Sequence, residues 1–270
     1  MALNEYQSSF QGIPVSYWRG GAGFPILMLH GSGPGASSLA NWRLVLEPLA
    51  ERYEIFAMDL IGFGKSGRKP KQPYFDLDLW VAQCRHMLAQ MAGSEFGVIG
   101  QSLSGMLALR LAAGEQQIAK VLTTGTMGAG FSVNDDLRRG WTLPKTREEF
   151  RRALESLVHD SAAVTDDQLE WRMRSLIAGG TGDYFEAMFA DDRQKYVDLT
   201  ILNSSELKQI RSEVVMVHGR NDKPVPAEAT SVPMSRAIPN ADLVILSNCG
   251  HLPAVERPEA LLGIARMLFG

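Results

Sequence analysis

Short apolar runs alternate with longer stretches of helical periodicity along most of this chain. "PILMLH" (25–30) reads as a buried strand and "SLANWRLVLEPLAE" (38–51) as an amphipathic helix. "YEIFAMDL" (53–60) reads as a strand ending in the Gly-rich turn "IGFGKSG", and "LDLWVAQCRHMLAQM" (77–91) as a helix. "EFGVIG" (95–100) is a short β-rich run, and "LSGMLALRLAAG" (103–114) follows it with Leu103, Leu107 and Leu111 on one helical face. Further strands are expected at "KVLTTG" (120–125), "EVVMVHG" (213–219) and "ADLVILS" (241–247), and a last helix at "PEALLGIARMLF" (258–269). Alternation of this kind predicts an α/β protein, with a mostly parallel central sheet flanked by helices on both faces.

Between about residues 131 and 204 the pattern changes. "TREEFRRALESLV" and "DDQLEWRMRSLIA" are charged and helical, and no buried strand stands out. The stretch reads as a helical cap (131–204) inserted into a core domain formed by residues 1–130 and 205–270. In the second of those helices the apolar stripe is expected at Leu169, Met173, Leu176 and Ile177, with Arg172 at its flank. There the bland expectation is a solvated arginine whose stem covers apolar surface.

Composition narrows the function classes. The 270 residues are 45% hydrophobic and 21% charged, which fits one globular α/β domain with an insertion. A net charge of -3 without a basic stripe makes nucleic acid a poor partner. Cys84 and Cys249, the two cysteines, give neither metal-ligand spacing nor a disulfide framework, so a reducing, cytoplasmic setting fits best. "MALNEYQSSF" lacks the basic-then-apolar order of a signal peptide, and no apolar run is long enough for a membrane span.

The chemistry gathers where strands end. "VIGQSLSGM" (98–106) has the strand–turn–helix context of a nucleophile elbow, usually written G-x-S-x-G, but carries two serines. The strained turn needs small residues two before and two after the nucleophile. Ser102 has Gly100 and Ser104 there, whereas Ser104 would have Ser102 and the large Met106, so Ser102 is chosen. Asp222 in "RNDKPVP" and His251 in "NCGHLPAVERPE" each follow a strand, on the side where parallel sheets bind ligands. Each alone is as compatible with an ordinary loop residue. Together they stand in the order Ser, Asp, His of an α/β-hydrolase triad, in which the histidine takes the serine's proton and the aspartate fixes its tautomer. His86 lies in a helix, His159 in the insertion, His218 ends a buried run as a core histidine, and His30 opens a loop with a structural role. That loop, "HGSGPGASSLANW" (30–42), is placed to give one oxyanion N–H from Ser32, the other coming from Leu103. Its glycines do not have the spacing of a phosphate-binding loop, and it has no P-loop lysine.

In "HGSGPGASSLANWRL", "DLIGFGKSGRKP", "GTMGAGF", "AMFADDRQKYVD", "HGRNDKPVP" and "CGH" the chain resembles the meta-cleavage product hydrolases of aromatic degradation. These are α/β-hydrolases that break carbon–carbon bonds, and the likeness is nearest to those acting on 2-hydroxymuconic semialdehyde. The resemblance implies the triad Ser102, Asp222 and His251, roles for Asn41 beside the oxyanion loop and for Arg172 in the cap, and no metal or cofactor. It also implies that Gly31, Gly33, Gln101 and Leu252 border the substrate. The elbow reads G-Q-S-L-S-G where the family has G-N-S-x-G-G, and Leu252 stands where the family has tryptophan. The implied substrate is a 2-hydroxy-6-oxohexa-2,4-dienoate-type acid, and the implied partners are small molecules, with a homo-oligomer, dimer or higher, as a further expectation. A carboxylesterase or lactonase with the same triad is the alternative, and a non-enzymatic receptor of the same fold the third.

Overall fold

In the computed structural model, residues 3–177 and 180–270 are described. Met1, Ala2, Gly179 and Ala178 (the last residue of the second helical stretch quoted above) lie outside them. One sheet of eight strands organises the molecule: β1 (Asn4–Phe10), β2 (Ile13–Gly20), β3 (Pro25–Leu29), β4 (Glu54–Met58), β5 (Phe96–Gln101), β6 (Ile118–Thr124), β7 (Glu213–Gly219) and β8 (Ala241–Leu246). Their order is β1-β2-β4-β3-β5-β6-β7-β8, and every pairing from β4 to β8 is parallel. The antiparallel hairpin β1–β2 extends the sheet at the β4 edge. Sequence periodicity did not single it out. β1 is largely exposed and polar, so it carries little of the apolar alternation that marks a strand.

The two faces are read off β3, where side chains alternate. Leu27 and Leu29 join a core with α3 (Leu77–Leu88) and α4 (Leu103–Gly114). Ile26 and Met28 join the other core, with α1 (Ser38–Trp42), α2 (Leu46–Ala50), α12 (Pro253–Glu256) and α13 (Pro258–Phe269). Each fully buried Leu, Ile or Val in these layers stabilises the fold by about 1.5–3 kcal/mol relative to exposure. The single helix expected over 38–51 is two short helices. Pro48 has no N–H for the carbonyl four residues back and its ring clashes with that carbonyl, so the helix breaks at Arg43–Val45 and restarts at Leu46.

Between β6 and β7 the described residues form helices: α5 (Asp135–Gly140), α6 (Arg147–Glu155), α7 (Asp166–Ile177), α8 (Thr181–Met188), α9 (Arg193–Thr200) and α10 (Ser204–Gln209). α6 opens with a capping box, Thr146 and Glu149 each satisfying the other's backbone N–H. After α11 (Ser231–Ala237) the chain enters the edge strand β8. The buried face of α7 is Leu169, Arg172 and Leu176, while Ile177 is 73% exposed. The stripe is thus turned from the expected one, and an arginine occupies it.

Candidate active site

Ser102 sits where β5 turns into α4, at φ 58° and ψ −119°, left-handed backbone that a non-glycine residue adopts only at a cost. Its neighbours hold it there. Ser102 N–H donates to Thr124 O at 2.9 Å, and Ser102 O accepts from Met127 N–H at 3.1 Å, so the end of β6 and the loop after it pin both sides of the turn. A Cβ on Gly100 would stand 2.2 Å from Ser104 O, which explains the glycine. Ser104 is fully buried and its hydroxyl donates to His30 O, away from the role of nucleophile. Leu103 opens α4, so its N–H has no intrahelical acceptor.

The loop after β7 carries Asp222, and the loop after β8 carries His251. His251 Nδ1 donates to Asp222 Oδ2 at 2.7 Å, and Asp222 Oδ1 accepts from Val225 N–H at 2.9 Å. Burial pushes the Asp222 carboxyl up, but the charge of His251 and hydrogen bonds from His218 and His251 outweigh it and hold the carboxyl at about 2. It therefore stays ionised beside the imidazole through the neutral range. Gly125, at φ 52°, closes β6 against this pair: a Cβ there would lie 2.9 Å from His251 Nδ1 and 3.1 Å from Asp222 Oδ2. Ser102 and His251 line one cavity, and no hydrogen bond joins them among the described residues.

Gly31, Ser32, Gly33, Asn41, Gln101, Arg172 and Leu252 line the same cavity, so every residue expected at the substrate is brought to it. Asn41 Nδ2 donates to Gln101 Oε1 at 2.9 Å, and Gln101 Nε2 donates to the carbonyl of His251 at 3.2 Å. A Cβ on Gly31 would fall 1.9 Å from Gln101 Oε1, so the glycine makes room for the longer amide. Arg172, 6% exposed, reaches across from α7 to Ala40 O at 3.2 Å and to Pro34 O and Asn41 Oδ1, both at 3.5 Å. No carboxylate pairs with it among the described residues. Burial, then the nearby charge of Arg43, lowers its pKa to about 10, still well above neutrality.

Sequence reasoning missed Trp141. Its indole N–H donates to Ser32 Oγ at 3.0 Å and its ring stacks on Phe189 at 5.0 Å, joining the insertion to the oxyanion loop. A tryptophan between short helices carries no motif, and only its size hints at burial. His30 is structural as expected: it bonds Gly31 O at 2.6 Å through Nδ1 and takes the Leu60 N–H at 3.0 Å on Nε2. His218 is buried as expected, but it also reaches Asp222, as described below. Among the described residues no group of three or more His, Cys, Asp or Glu could hold a metal.

A strained serine between β5 and α4, with an aspartate–histidine pair after β7 and β8, marks a class, and the comparisons with known proteins bear on it directly. Residues 26–264 match the model of the Alpha/beta hydrolase family, and the chain belongs to that family. Within it the chain belongs with the meta-cleavage product hydrolases. It is 32% identical over 246 residues to a 2-hydroxymuconate semialdehyde hydrolase from Pseudomonas sp. strain CF600, covering 91% of this chain and 86% of that protein. A 2-hydroxy-6-oxo-2,4-heptadienoate hydrolase from Pseudomonas putida is 29% identical over 252 residues, covering 93% of this chain and 91% of that protein. A variant of the meta-cleavage product hydrolase CumD from Pseudomonas fluorescens IP01, solved with acetates, superposes with a TM-score of 0.89 at 28% identity, over 94% of this chain and 93% of that one.

Proposed function

We propose that this chain is a serine-dependent hydrolase that cleaves the C–C bond next to the ketone of a 2-hydroxy-6-oxohexa-2,4-dienoate-type acid. The products are a 2-hydroxypenta-2,4-dienoate and a carboxylic acid. The observation that carries this reading is Arg172: a buried guanidinium on the wall of the serine–histidine cavity, held among the described residues only by carbonyl oxygens. A desolvated cation of this kind favours an anion beside it, and the substrate brings a carboxylate and an enol oxygen.

The substrate first ketonises, its enol proton leaving and a proton arriving on the carbon next to the ketone, with Arg172 stabilising the developing charge. Ser102, or a water held by His251, then attacks the ketone while His251 takes the proton. The N–H groups of Ser32 and Leu103 receive the oxyanion. The C–C bond breaks as the dienolate leaves with a proton from His251, and in the serine route a water releases the acid from Ser102. Asn41 and Gln101 hold the amide chain from Arg172 to the backbone of His251. Residues 131–204 act as the lid over this site, on a core of residues 1–130 and 205–270. The substituent on the ketone is uncharged: Leu137, Gly140, Trp141, Leu157, Pro224 and Leu252 form an apolar wall, and Arg172 is the one formal cation among the described lining residues. The unbridged, buried thiols of Cys84 and Cys249 support a reducing, cytoplasmic setting.

Arg172→Ala tests the reading. Cleavage of the yellow dienol acid, followed by loss of its visible absorbance, slows by at least about 10²-fold, roughly 2.7 kcal/mol of barrier. Hydrolysis of a neutral aryl acetate by the same variant changes little. Equal losses on both substrates would make Arg172 structural, and no loss on either would favour an ordinary esterase.

A further inference from the structure

His218 closes β7 with its ring fully buried, between the aspartate loop and α11. Its Nε2 lies 2.8 Å from Val225 O and 3.0 Å from Asp222 Oδ2, and its Nδ1 lies 2.7 Å from Ser231 Oγ. A backbone carbonyl can only accept, so Nε2 carries a proton, and in the neutral ring Nδ1 accepts from the Ser231 hydroxyl. Asp222 Oδ2 therefore receives the His251 N–H and also lies 3.0 Å from the protonated Nε2 of His218, whose N–H donates to Val225 O, while Oδ1 receives the Val225 N–H.

We infer that His218 is a positioning residue of the triad, whose Nε2–H, shared between Val225 O and Asp222, fixes the carboxylate in line with His251 and tempers its basicity. The inference rests on the triad assignment above, not on which substrate is cleaved. An aspartate with one donor on its shared oxygen concentrates its charge on that donor, and one with two divides it. Losing the His218 N–H leaves Asp222 a stronger acceptor for His251, so the protonated imidazole is held more tightly and gives up its proton at higher pH. Losing it also frees the carboxylate to rotate away from the imidazole axis.

The other groups packed around this pair leave His218 as the second donor. The strand end of β6 presents Gly125, which has no side chain. The loop after β8 presents His251 itself and the Cys249 thiol, which burial, then the neighbouring Glu256 charge, pushes up to about 12. Helix α11 presents Ser231.

The experiment compares His218→Leu, His218→Asn and His218→Gln, using whichever of the dienol acid or the aryl acetate the protein turns over. In His218→Leu the acid limb of the kcat/KM profile moves up by roughly half a pH unit to one unit, and the plateau falls about tenfold. His218→Asn, too short to reach Asp222, does the same and stands in if the leucine variant fails to fold. His218→Gln, whose amide nitrogen reaches about as far as Nε2, returns the limb to the wild-type position. A limb that stays in place in the folded leucine and asparagine variants, with only thermal stability lowered, overturns the inference and makes His218 a core residue. Asp222→Asn is measured alongside: near-normal turnover there would fail the triad reading instead, whatever the His218 variants do.

Discussion

Ser102 and Ser104 differ in what surrounds the hydroxyl. Ser102 is held at a positive φ on the cavity wall, whereas Ser104 Oγ is spent on the His30 carbonyl. Ser102→Ala should therefore lower kcat by several orders of magnitude. Ser104→Gly should keep most of the activity, because glycine fits the same space and the loss of the donor to the buried His30 carbonyl costs stability, about 1–3 kcal/mol, rather than chemistry. Steady-state kinetics with a thermal melt of both variants checks this, and a dead Ser104→Gly beside an active Ser102→Ala would reverse the assignment. The serine was legible because its requirement is local: small neighbours at fixed offsets and a strand-to-helix context. Asp222 and His251 were legible because parallel strands put their ends on one side. Trp141 was not, since it acts through one contact made across distant parts of the chain. His218 was read as a core histidine, because a ring closing a buried strand looks the same in the sequence whether or not it turns toward the aspartate four residues on. Arg172 was read from family likeness, because on its own helix it looks like a solvated flank.

In one misread element a single residue overrode the periodicity around it. Pro48 split the helix expected over 38–51. The missed hairpin had a signal of a different kind. Gln11 and Gly12, at φ 51° and 75°, form a two-residue turn between strands paired Phe10 to Ile13, and a Gly in such a turn with alternation on one side is a hairpin signature. Helix α4, by contrast, spans residues 103–114 as its leucine spacing predicts, because it is buried on nearly every side. The ends of elements also set tolerances at the site. At the end of β6, Gly125 has a positive φ and no room for a methyl beside Asp222 and His251. Gly125→Ala should cut kcat by about 10²-fold or more, through displacement of the imidazole and the strain of φ 52°. KM for the dienol acid should move less than kcat. A variant of native rate would show that the turn relaxes without disturbing the pair.

The insertion and the core are joined through the base's own backbone. His251 N–H donates to Leu157 O at 2.7 Å, and Glu256 accepts both Gly250 N–H at 2.7 Å and His159 N–H at 2.6 Å. Gly250 allows the contact, since a Cβ there would lie 2.8 Å from Leu157 O. Glu256→Gln exchanges an ionised acceptor for a neutral one, weakening both bonds while keeping the shape. It should lower Tm by a few degrees. It should also lower kcat on the dienol acid and the aryl acetate alike, about three- to tenfold, because the base and not the anion-binding side is loosened. A fall confined to the dienol acid would place the effect at Arg172 instead.

The tie at Leu157 also bears on traffic. Were the helices to swing away on that side, the base would lose its backbone acceptor and drift as the door opened, leaving a state that admits substrate but cannot react. The tied edge is better suited to serve as the hinge, with Trp141 on Ser32 and Arg172 on the Ala40 carbonyl as the contacts that part on the free side. Those two are side-chain contacts and can break without moving the backbone of the triad. Entry and exit would then cost the anion-binding wall its order while the imidazole stays aimed, so that each arriving carboxylate finds the base in place and rebuilds the wall around itself.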